Sequence, residues 1–270
     1  MKTLAVTLII ALLGVSGMAQ YKLEYKASAP LKYKAHTTVE STQTMGNQES
    51  TFSMFSDQSI SMTSTNAGSE LVYSITIDSS QNIMVLPSGD TNRTPSPVVG
   101  KVKETRIHPN GEEISTRWLD TTFASTGAGQ MKDFGSFFFK LPAGAVDAGA
   151  TWHQDKIDTA GTPGGQGKII VNSSTDYKLV GKEDVDGISC ARIEYTGKIS
   201  MNGSTNVQGM SLAINGTGTI TGSAMFDYGA GKVVKISGSS VQDLTMQSSG
   251  DNPMTIPMDQ KTDYELQLAK

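Results

Sequence analysis

Acid–base or metal chemistry in this chain would depend first on its three histidines, His36, His108 and His153. An imidazole titrates near neutral pH, so it can carry a proton or bind a metal ion. His153 and Asp155 are two residues apart, and in a β-strand this spacing places both side chains on one face. Such a pair is a fragment of an acid–base or metal site, but it is more typical of a solvated strand edge. We therefore predict no catalytic residue and no metal site.

The sequence lacks the local signatures of common catalytic and cofactor sites: H-E-x-x-H, G-x-S-x-G and paired zinc-binding cysteines. The glycine-rich stretch 161–167 has no Lys-Ser/Thr of a phosphate loop, and 184–187 (DVDG) lacks the remaining ligands of a calcium loop. We interpret the first as a loop and the second as a tight turn. Cys190, the only cysteine, is expected to be a buried and inert thiol. No cofactor is predicted.

Aromatic residues are concentrated in one short segment. Half of the eight phenylalanines lie within six residues. They are Phe134, Phe137, Phe138 and Phe139. This segment lacks the alternation found elsewhere, and we predict a short helix around Gln130–Phe139, ended by Pro142.

A second unusual feature is a strand-like run at 214–226, in which the even positions should face the core. Glycines occupy three of these positions, Gly216, Gly218 and Gly222, and the run ends at Phe226. Glycine inside a strand often marks a bend or the close approach of another group. Our hypothesis is that the phenylalanine segment packs across this glycine-lined face as a plug. The alternative is an open hollow that holds an apolar ligand, with the segment as its lid.

Both interpretations use the same candidate residues, which form either a ligand pocket or a core. They are Phe134, Phe137, Phe138, Phe139, Trp152, Gly216, Gly218, Gly222 and Phe226. Methionine is also common on the apolar strand faces, for example Met54, Met201 and Met246. Its adaptable side chain suits an irregular core as well as a permissive apolar pocket.

Period-two alternation is the main structural signal. In 191–201 the odd positions are mostly apolar and the even positions polar, and similar patterns occur at 71–77, 52–62 and 264–268. Short turns separate these runs, so consecutive strands should pair as a meander. We predict a mainly β fold of antiparallel meander sheets, forming a curved half-barrel or a two-sheet sandwich. One short helical or irregular crossover is expected, and 168–269 should hold about five long strands.

The N-terminus has the features of a secretory signal peptide over residues 1–19. A positive start is followed by an uncharged apolar run, with Gly17 and Ala19 as the small residues before the cleavage site. Residues 20–270 then form a single β-rich domain, which we divide into halves at 20–120 and 140–270 joined by the crossover 121–139. The residue directly after the cleavage site is Gln20 and not a cysteine, so lipidation is not expected. We expect no membrane span in the mature chain.

Charge and cysteine content narrow the environment and the partners. The formal net charge is −4, and no cluster of Lys and Arg stands out, so no nucleic-acid partner is predicted. A secreted chain with one cysteine has no internal disulfide, so its stability must come from its core. This combination fits a bacterial periplasm or cell exterior.

Four segments carry a resemblance to a known family. They are YKLEYKASAPLKYKAHTTVESTQT (21–44), LPAGAVDAGATW (141–152), YKLVGKEDVDGISCARIEY (177–195) and GSAMFDYGAGKVVK (222–235). The chain resembles a family of uncharacterised secreted bacterial β-rich proteins, defined only as a domain of unknown function. The later segments are also similar to the lipoprotein-carrier type of half-barrel. That similarity implies binding of an apolar ligand and brings no catalytic residues.

The sequence therefore predicts a secreted, non-catalytic protein. Its expected partner is an apolar small molecule or lipid, or an envelope protein for which it serves as a structural or interaction module. The alternative is a hydrolase with a dispersed active site.

Overall fold

The structure is a computed structural model that describes residues 20–124, 126, 137–161, 167–207, 210–249 and 253–270. The predicted signal peptide and Phe134 lie outside these residues. The elements in chain order are β1 (Tyr21–Lys22), β2 (Leu31–Met45), β3 (Gln48–Ala67), β4 (Glu70–Val85), β5 (Thr91–Pro95), β6 (Val102–Ile107), β7 (Glu113–Trp118), α1 (Thr121–Ala124), β8 (Ala145–Val146), β9 (Thr151–Gly161), β10 (Lys168–Val185), β11 (Ile188–Val207), β12 (Met210–Asp227), β13 (Lys232–Ser248) and β14 (Thr255–Leu268).

Twelve strands form one antiparallel sheet in the order β7-β6-β4-β3-β2-β14-β13-β12-β11-β10-β9, with β5 beside β4. Strands adjacent in this order are mostly consecutive in sequence, which confirms the predicted antiparallel meander. The five long strands expected over 168–269 are β10 to β14. The sheet becomes continuous because β2 pairs with β14, so the N-terminal and C-terminal sets of strands join through their first and last long members.

The sheet curves strongly. Its edge strands β7 and β9 come close enough for Lys156 Nζ to lie 3.4 Å from a Glu113 carboxylate oxygen. Register shifts place one extra residue in each of four strands, Asp78 in β4, Ile114 in β7, Val180 in β10 and Val234 in β13. A β-bulge bends its strand and increases the local twist, so these four bulges favour the curvature.

The two faces of the sheet differ in burial as the alternation predicts. We call the face that carries Tyr33, Ile60, Tyr177 and Ile193 the inner face, and all four residues are buried. Most of the intervening residues on the outer face are polar and exposed, as in the burial pattern of β10. The most deeply buried residues lie at one end of the strands, near the turns at 68–69, 186–187 and 228–231, which we call the core end.

The N-terminal segment, residues 20–28, crosses the core end. Tyr25 N donates a hydrogen bond to Pro109 O at 2.7 Å, and Lys26 N donates to Gly231 O at 3.0 Å. These acceptors lie in the β6–β7 and β12–β13 connections, so the segment bridges opposite sides of the sheet. Leu23 and Tyr25 are only 2% and 3% exposed, so the segment forms part of the core.

A short helix, α1, lies at the start of the predicted crossover 121–139. It spans Thr121–Ala124, where the side chain of Asp120 accepts a hydrogen bond from Phe123 N at 2.9 Å, as an N-cap does. Of the predicted range around Gln130–Phe139, the described residues 137–139 are irregular, and the rest lie outside the described residues. No helix among the described residues is long and apolar enough to span a membrane.

Candidate functional site

The described phenylalanines of the predicted segment lie at the core end, inside a cluster of rings. Phe138 is 9% exposed, and its ring centroid lies 4.5 Å from that of Tyr73 and 5.4 Å from that of Tyr25. Phe139 contacts Tyr177 and Phe226 at centroid distances of 5.8 and 6.4 Å. We call these six residues, together with Trp152, the aromatic cluster.

Trp152 joins the crossover to the edge of the sheet. Its ring stacks on Tyr177 with a centroid distance of 5.6 Å and an interplanar angle of 7°. Its Nε1–H donates a hydrogen bond to Lys140 O at 2.7 Å. The structure thus brings five of the predicted site residues into one place: Phe137, Phe138, Phe139, Trp152 and Phe226.

Little space is left around these rings. The cavity between the aromatic cluster, Tyr33 and Leu266 has a volume of about 10 Å³. A single water needs about 10–15 Å³ by this measure, so the cavity is too small for an organic ligand. The core end is therefore packed, and any larger ligand has to bind elsewhere.

The predicted glycines lie farther along the inner face, and other side chains occupy the space beside them. A Cβ added to Gly222 would lie 2.3 Å from Tyr195 Oη, and one added to Gly218 would lie 2.7 Å from Gln242 Cγ. At Gly216 the nearest atom would be Leu244 Cδ2, at 2.3 Å. Side chains from the neighbouring strands thus occupy the space beside the glycines. Aromatic residues are known to cover glycines in β-sheets in the same way. In the described residues, the atoms nearest to these glycines do not belong to the phenylalanine segment.

Beyond the aromatic cluster, the inner face continues as an apolar surface that is only partly buried. We call this surface the inner trough and define it by six half-buried residues of β11 to β14: Ile199, Met201, Ile220, Leu244, Met246 and Met258. Met201, Gly216, Leu244 and Met258 are successive cross-strand partners, so three apolar side chains form a continuous row. The outer-face residues between them, such as Thr217 and Asp243, are exposed.

His153 is surrounded by hydrogen-bond partners on the outer face of β9 and β10. Its Nδ1 lies 2.7 Å from Asp176 Oδ1, and its Nε2 lies 2.9 Å from Asp155 Oδ1 and 3.4 Å from Ser174 Oγ. The two carboxylates raise the pKa of His153 above its usual value, with Asp176 the stronger influence. Both ring nitrogens face carboxylate oxygens, which accept hydrogen bonds, so neither nitrogen is left free to take a proton from the Ser174 hydroxyl.

His36 adjoins a cleft of about 550 Å³ on the outer face of β14, β2, β3 and β4. Its Nδ1 lies 2.7 Å from Asp57 Oδ1, and Thr38 Oγ1 lies 3.3 Å from its Nε2. Thr38, His36 and Asp57 thus provide a hydroxyl, an imidazole and a carboxylate in the order found in a catalytic triad, in which the imidazole acts as the base for the hydroxyl nucleophile. However, β2 pairs on both sides, with β3 and β14, so its N–H groups serve the sheet and do not form an oxyanion hole.

Cys190 is fully buried, and burial raises the pKa of its thiol to about 11. The thiol is therefore protonated at neutral pH, which agrees with the predicted inert cysteine. Among the described residues, no group of three or more His, Cys, Asp or Glu side chains has a geometry that could hold a metal ion.

No family model matches the chain, and no curated protein matches it. Two solved structures with some similarity are both distant. One is Salmonella typhi OmpF in complex with daunomycin, at 6% identity and a TM-score of 0.20, covering 90% of this chain and 100% of that one. The other is a DUF1329 family protein from Desulfovibrio piger, at 12% identity and a TM-score of 0.13, covering 87% of this chain and 85% of that one. Neither similarity is strong enough to support an inference about fold or function.

Proposed function

We propose that this chain is a secreted, non-catalytic protein of the bacterial cell envelope that binds an apolar ligand along the inner trough. The observation that supports the proposal is the half-buried apolar row of Met201, Leu244 and Met258 beyond a core that is already packed. A contiguous apolar surface that remains open to solvent is typical of a ligand-binding groove. The proposed ligand carries an acyl or alkyl chain.

Methionine at this surface favours such a ligand over one rigid partner. The thioether side chain is unbranched and polarizable, so a methionine-rich surface can adapt to chains of different length or shape. Met201, Met246 and Met258 all belong to the inner trough. The packed aromatic cluster then forms one end of the binding surface and stabilises the curvature that encloses it.

The test uses the chain from residue 20 onward and methyl laurate, an uncharged twelve-carbon ester. Leu244→Gln adds a polar group to the trough and should weaken binding by about tenfold or more, which corresponds to about 1.4 kcal/mol. Val241→Gln is the control, because Val241 belongs to the same strand but is 51% exposed on the outer face. It should leave the affinity unchanged.

Calorimetric titration measures both affinities, and thermal unfolding confirms that both variants are folded. If methyl laurate does not bind to the unmodified protein, or if both variants bind equally well, the trough is not the ligand site.

The proposed location has a separate test. N-terminal sequencing of protein isolated from its own host should give Gln20 as the first residue, as the small residues Gly17 and Ala19 predict. A mature protein that still begins at Met1 would contradict secretion through this signal.

A further inference from the structure

We infer that Ser41, Gln242 and Gln260 form a recognition site for a neutral headgroup that donates hydrogen bonds. This inference rests on the proposed function, because the headgroup would belong to the same ligand whose chain occupies the inner trough. It adds the chemical class of the ligand, a chain that ends in a hydroxyl or an amide N–H.

The three side chains form a row on three adjacent strands. Gln242 of β13 is the direct cross-strand partner of Gln260 of β14, which in turn pairs with Ser41 of β2. Direct neighbours in an antiparallel pair lie about 4.5–5.5 Å apart at Cβ, so the polar groups form one patch. The patch adjoins the apolar row of Leu244 and Met258, which lie two residues away on the same two strands.

Two atoms of this patch are buried and have no partner among the described residues. Ser41 is 0% exposed and Gln242 is 9% exposed, and neither Ser41 Oγ nor Gln242 Oε1 has a hydrogen-bond partner there. More than about 90% of buried polar groups in proteins are paired, so two unpaired atoms on either side of Gln260 indicate a partner that reaches both of them across this residue.

The orientation of the amides indicates which chemical group this partner presents. Gln242 Nε2 donates to Ser240 Oγ at 3.3 Å, and Gln260 Nε2 donates to Thr262 Oγ1 at 3.4 Å. Each amide nitrogen thus uses one of its two N–H groups within the sheet, and the oxygen of Gln242 remains as an unpaired acceptor. An amide oxygen can only accept, so the ligand must supply a hydrogen-bond donor.

The surroundings favour a donor without charge. The inner-face positions of β13, β14 and β2 around the patch carry serine, threonine, glutamine, tyrosine, glycine and apolar residues, and none is charged. A buried ammonium group would lack a counter-charge here, and a carboxylate would face Gln242 Oε1, which can only accept. A hydroxyl or amide N–H satisfies the patch without either penalty.

The experiment compares three twelve-carbon ligands that differ only in the headgroup. These are 1-monolaurin, which carries two hydroxyl groups, methyl laurate, which has no donor, and laurate, which is anionic. The full mature chain should bind monolaurin about tenfold more tightly than either of the others, as expected for one well-placed hydrogen bond.

Gln242→Met keeps the length of the side chain but removes the acceptor. It should reduce the affinity for monolaurin to that for methyl laurate and leave methyl laurate binding unchanged. Gln247→Met is the matched control, because Gln247 is an exposed glutamine on the outer face of the same strand. If Gln242→Met does not fold, Ser41→Ala provides a smaller change with the same expected direction.

The outcomes separate this inference from the proposed function. Equal affinity of the unmodified protein for monolaurin and methyl laurate, or tightest binding of laurate, would overturn the headgroup site and leave chain binding intact. Binding of monolaurin that is unaffected by Gln242→Met and Ser41→Ala would also overturn it. If none of the three ligands binds, both proposals fail.

Discussion

At the residue scale, Phe138 links the crossover to the core. Its ring is in contact with Tyr25 from the N-terminal segment and Tyr73 from β4, which are far apart in the sequence. Aromatic rings bury large areas and gain further from edge-to-face contacts such as the one with Tyr25. Phe138 thus holds together parts of the chain that the sheet alone does not connect.

Phe138→Ala should lower the free energy of unfolding by roughly 3–5 kcal/mol, because it leaves a cavity in a packed site. Phe55→Ala is the control, since Phe55 is 36% exposed on the outer face of β3. This substitution should lower the free energy of unfolding much less. Urea titration followed by intrinsic fluorescence measures both. Equal effects of the two substitutions would mean that the aromatic cluster is not part of the stabilising core.

His153 gives a second prediction at this scale, which concerns pH. Its pKa is raised by Asp176 and Asp155, whereas the pKa of Asp155 is lowered, chiefly by His153. A raised histidine pKa favours the folded state at low pH, and this contribution is lost as pH rises through the folded value. The lowered pKa of Asp155 favours the folded state at higher pH, and this contribution is lost as pH falls through its folded value. The group is therefore most stabilising between the two pKa values.

Proton NMR titration of the His153 ring should give a pKa above the usual value of about 6.5. Asp176→Asn should lower that pKa more than Asp184→Asn, a change at an exposed aspartate on the same strand. A His153 pKa that does not respond to Asp176→Asn would contradict the described geometry.

At the element scale, the N-terminal segment and the crossover stabilise each other. Tyr25 Oη accepts a hydrogen bond from Phe139 N at 3.1 Å, and it lies 3.4 Å from Phe139 O as a donor. The N-terminal segment reaches the β6–β7 turn because Tyr25 N donates to Pro109 O, and Leu141 N, two residues after the crossover, donates to Asn110 O of the same turn at 2.7 Å. Gly111 in this turn lies so close to the backbone of Phe139 that an added Cβ would be 2.2 Å from Phe139 O, so only glycine fits there.

Tyr25→Phe removes one hydroxyl and leaves both polar groups of the Phe139 backbone without this partner. It should lower the free energy of unfolding by about 1–3 kcal/mol, the usual penalty for an unpaired buried group. Tyr228→Phe, at a half-buried tyrosine whose hydroxyl contacts Ser189 Oγ at 3.2 Å, should have a smaller effect. Chemical denaturation gives both values, and the reverse order would show that the two segments are not coupled through Tyr25.

The glycines of β12 give a further prediction about an element. In Gly222→Ala the new methyl group would meet Tyr195 Oη at 2.3 Å and Ser237 O at 2.4 Å. The free energy of unfolding should fall by about 1–3 kcal/mol, because both the strand and the Tyr195 ring must move. Gly144→Ala is the control, since nothing lies within 4 Å of its added Cβ. Thermal unfolding compares the two, and a neutral Gly222→Ala would contradict the close approach of Tyr195.

The sequence was informative about strands and much less so about their long-range contacts. Period-two alternation depends only on local geometry, so it correctly assigned the faces of 71–77 and 191–201. The pairing of β2 with β14 involves residues more than 200 positions apart, and no local pattern specifies it. The buried role of Leu23 and Tyr25 was missed because a short segment without turn signals does not stand out from its surroundings.

The candidate site was predicted only in part for the same reason. The phenylalanine segment could be recognised from composition, but the residues that fill the space beside the glycines, such as Tyr195 and Gln242, come from neighbouring strands. Ser41 gives no signal at all in the sequence, because one serine among many becomes distinctive only when it is buried without a partner.

At the scale of the whole molecule, one continuous sheet combines two environments. The core end is closed by the aromatic cluster and the N-terminal segment, whereas the inner trough keeps apolar residues partly open. Complete burial of this surface would contribute a favourable free energy of roughly 25 cal/mol for each Å² of apolar area removed from water. A bound chain supplies that burial, so ligand binding should also stabilise the fold.

Native mass spectrometry of the protein purified from its own host without detergent tests this account most directly. We predict a mass above that of the chain starting at Gln20, due to an apolar molecule that organic solvent extracts and that Leu244→Gln no longer retains. The extracted protein should unfold at a lower temperature and recover when methyl laurate is added. A protein that carries only its own mass, and whose unfolding temperature is unaffected by extraction or by methyl laurate, would contradict the account.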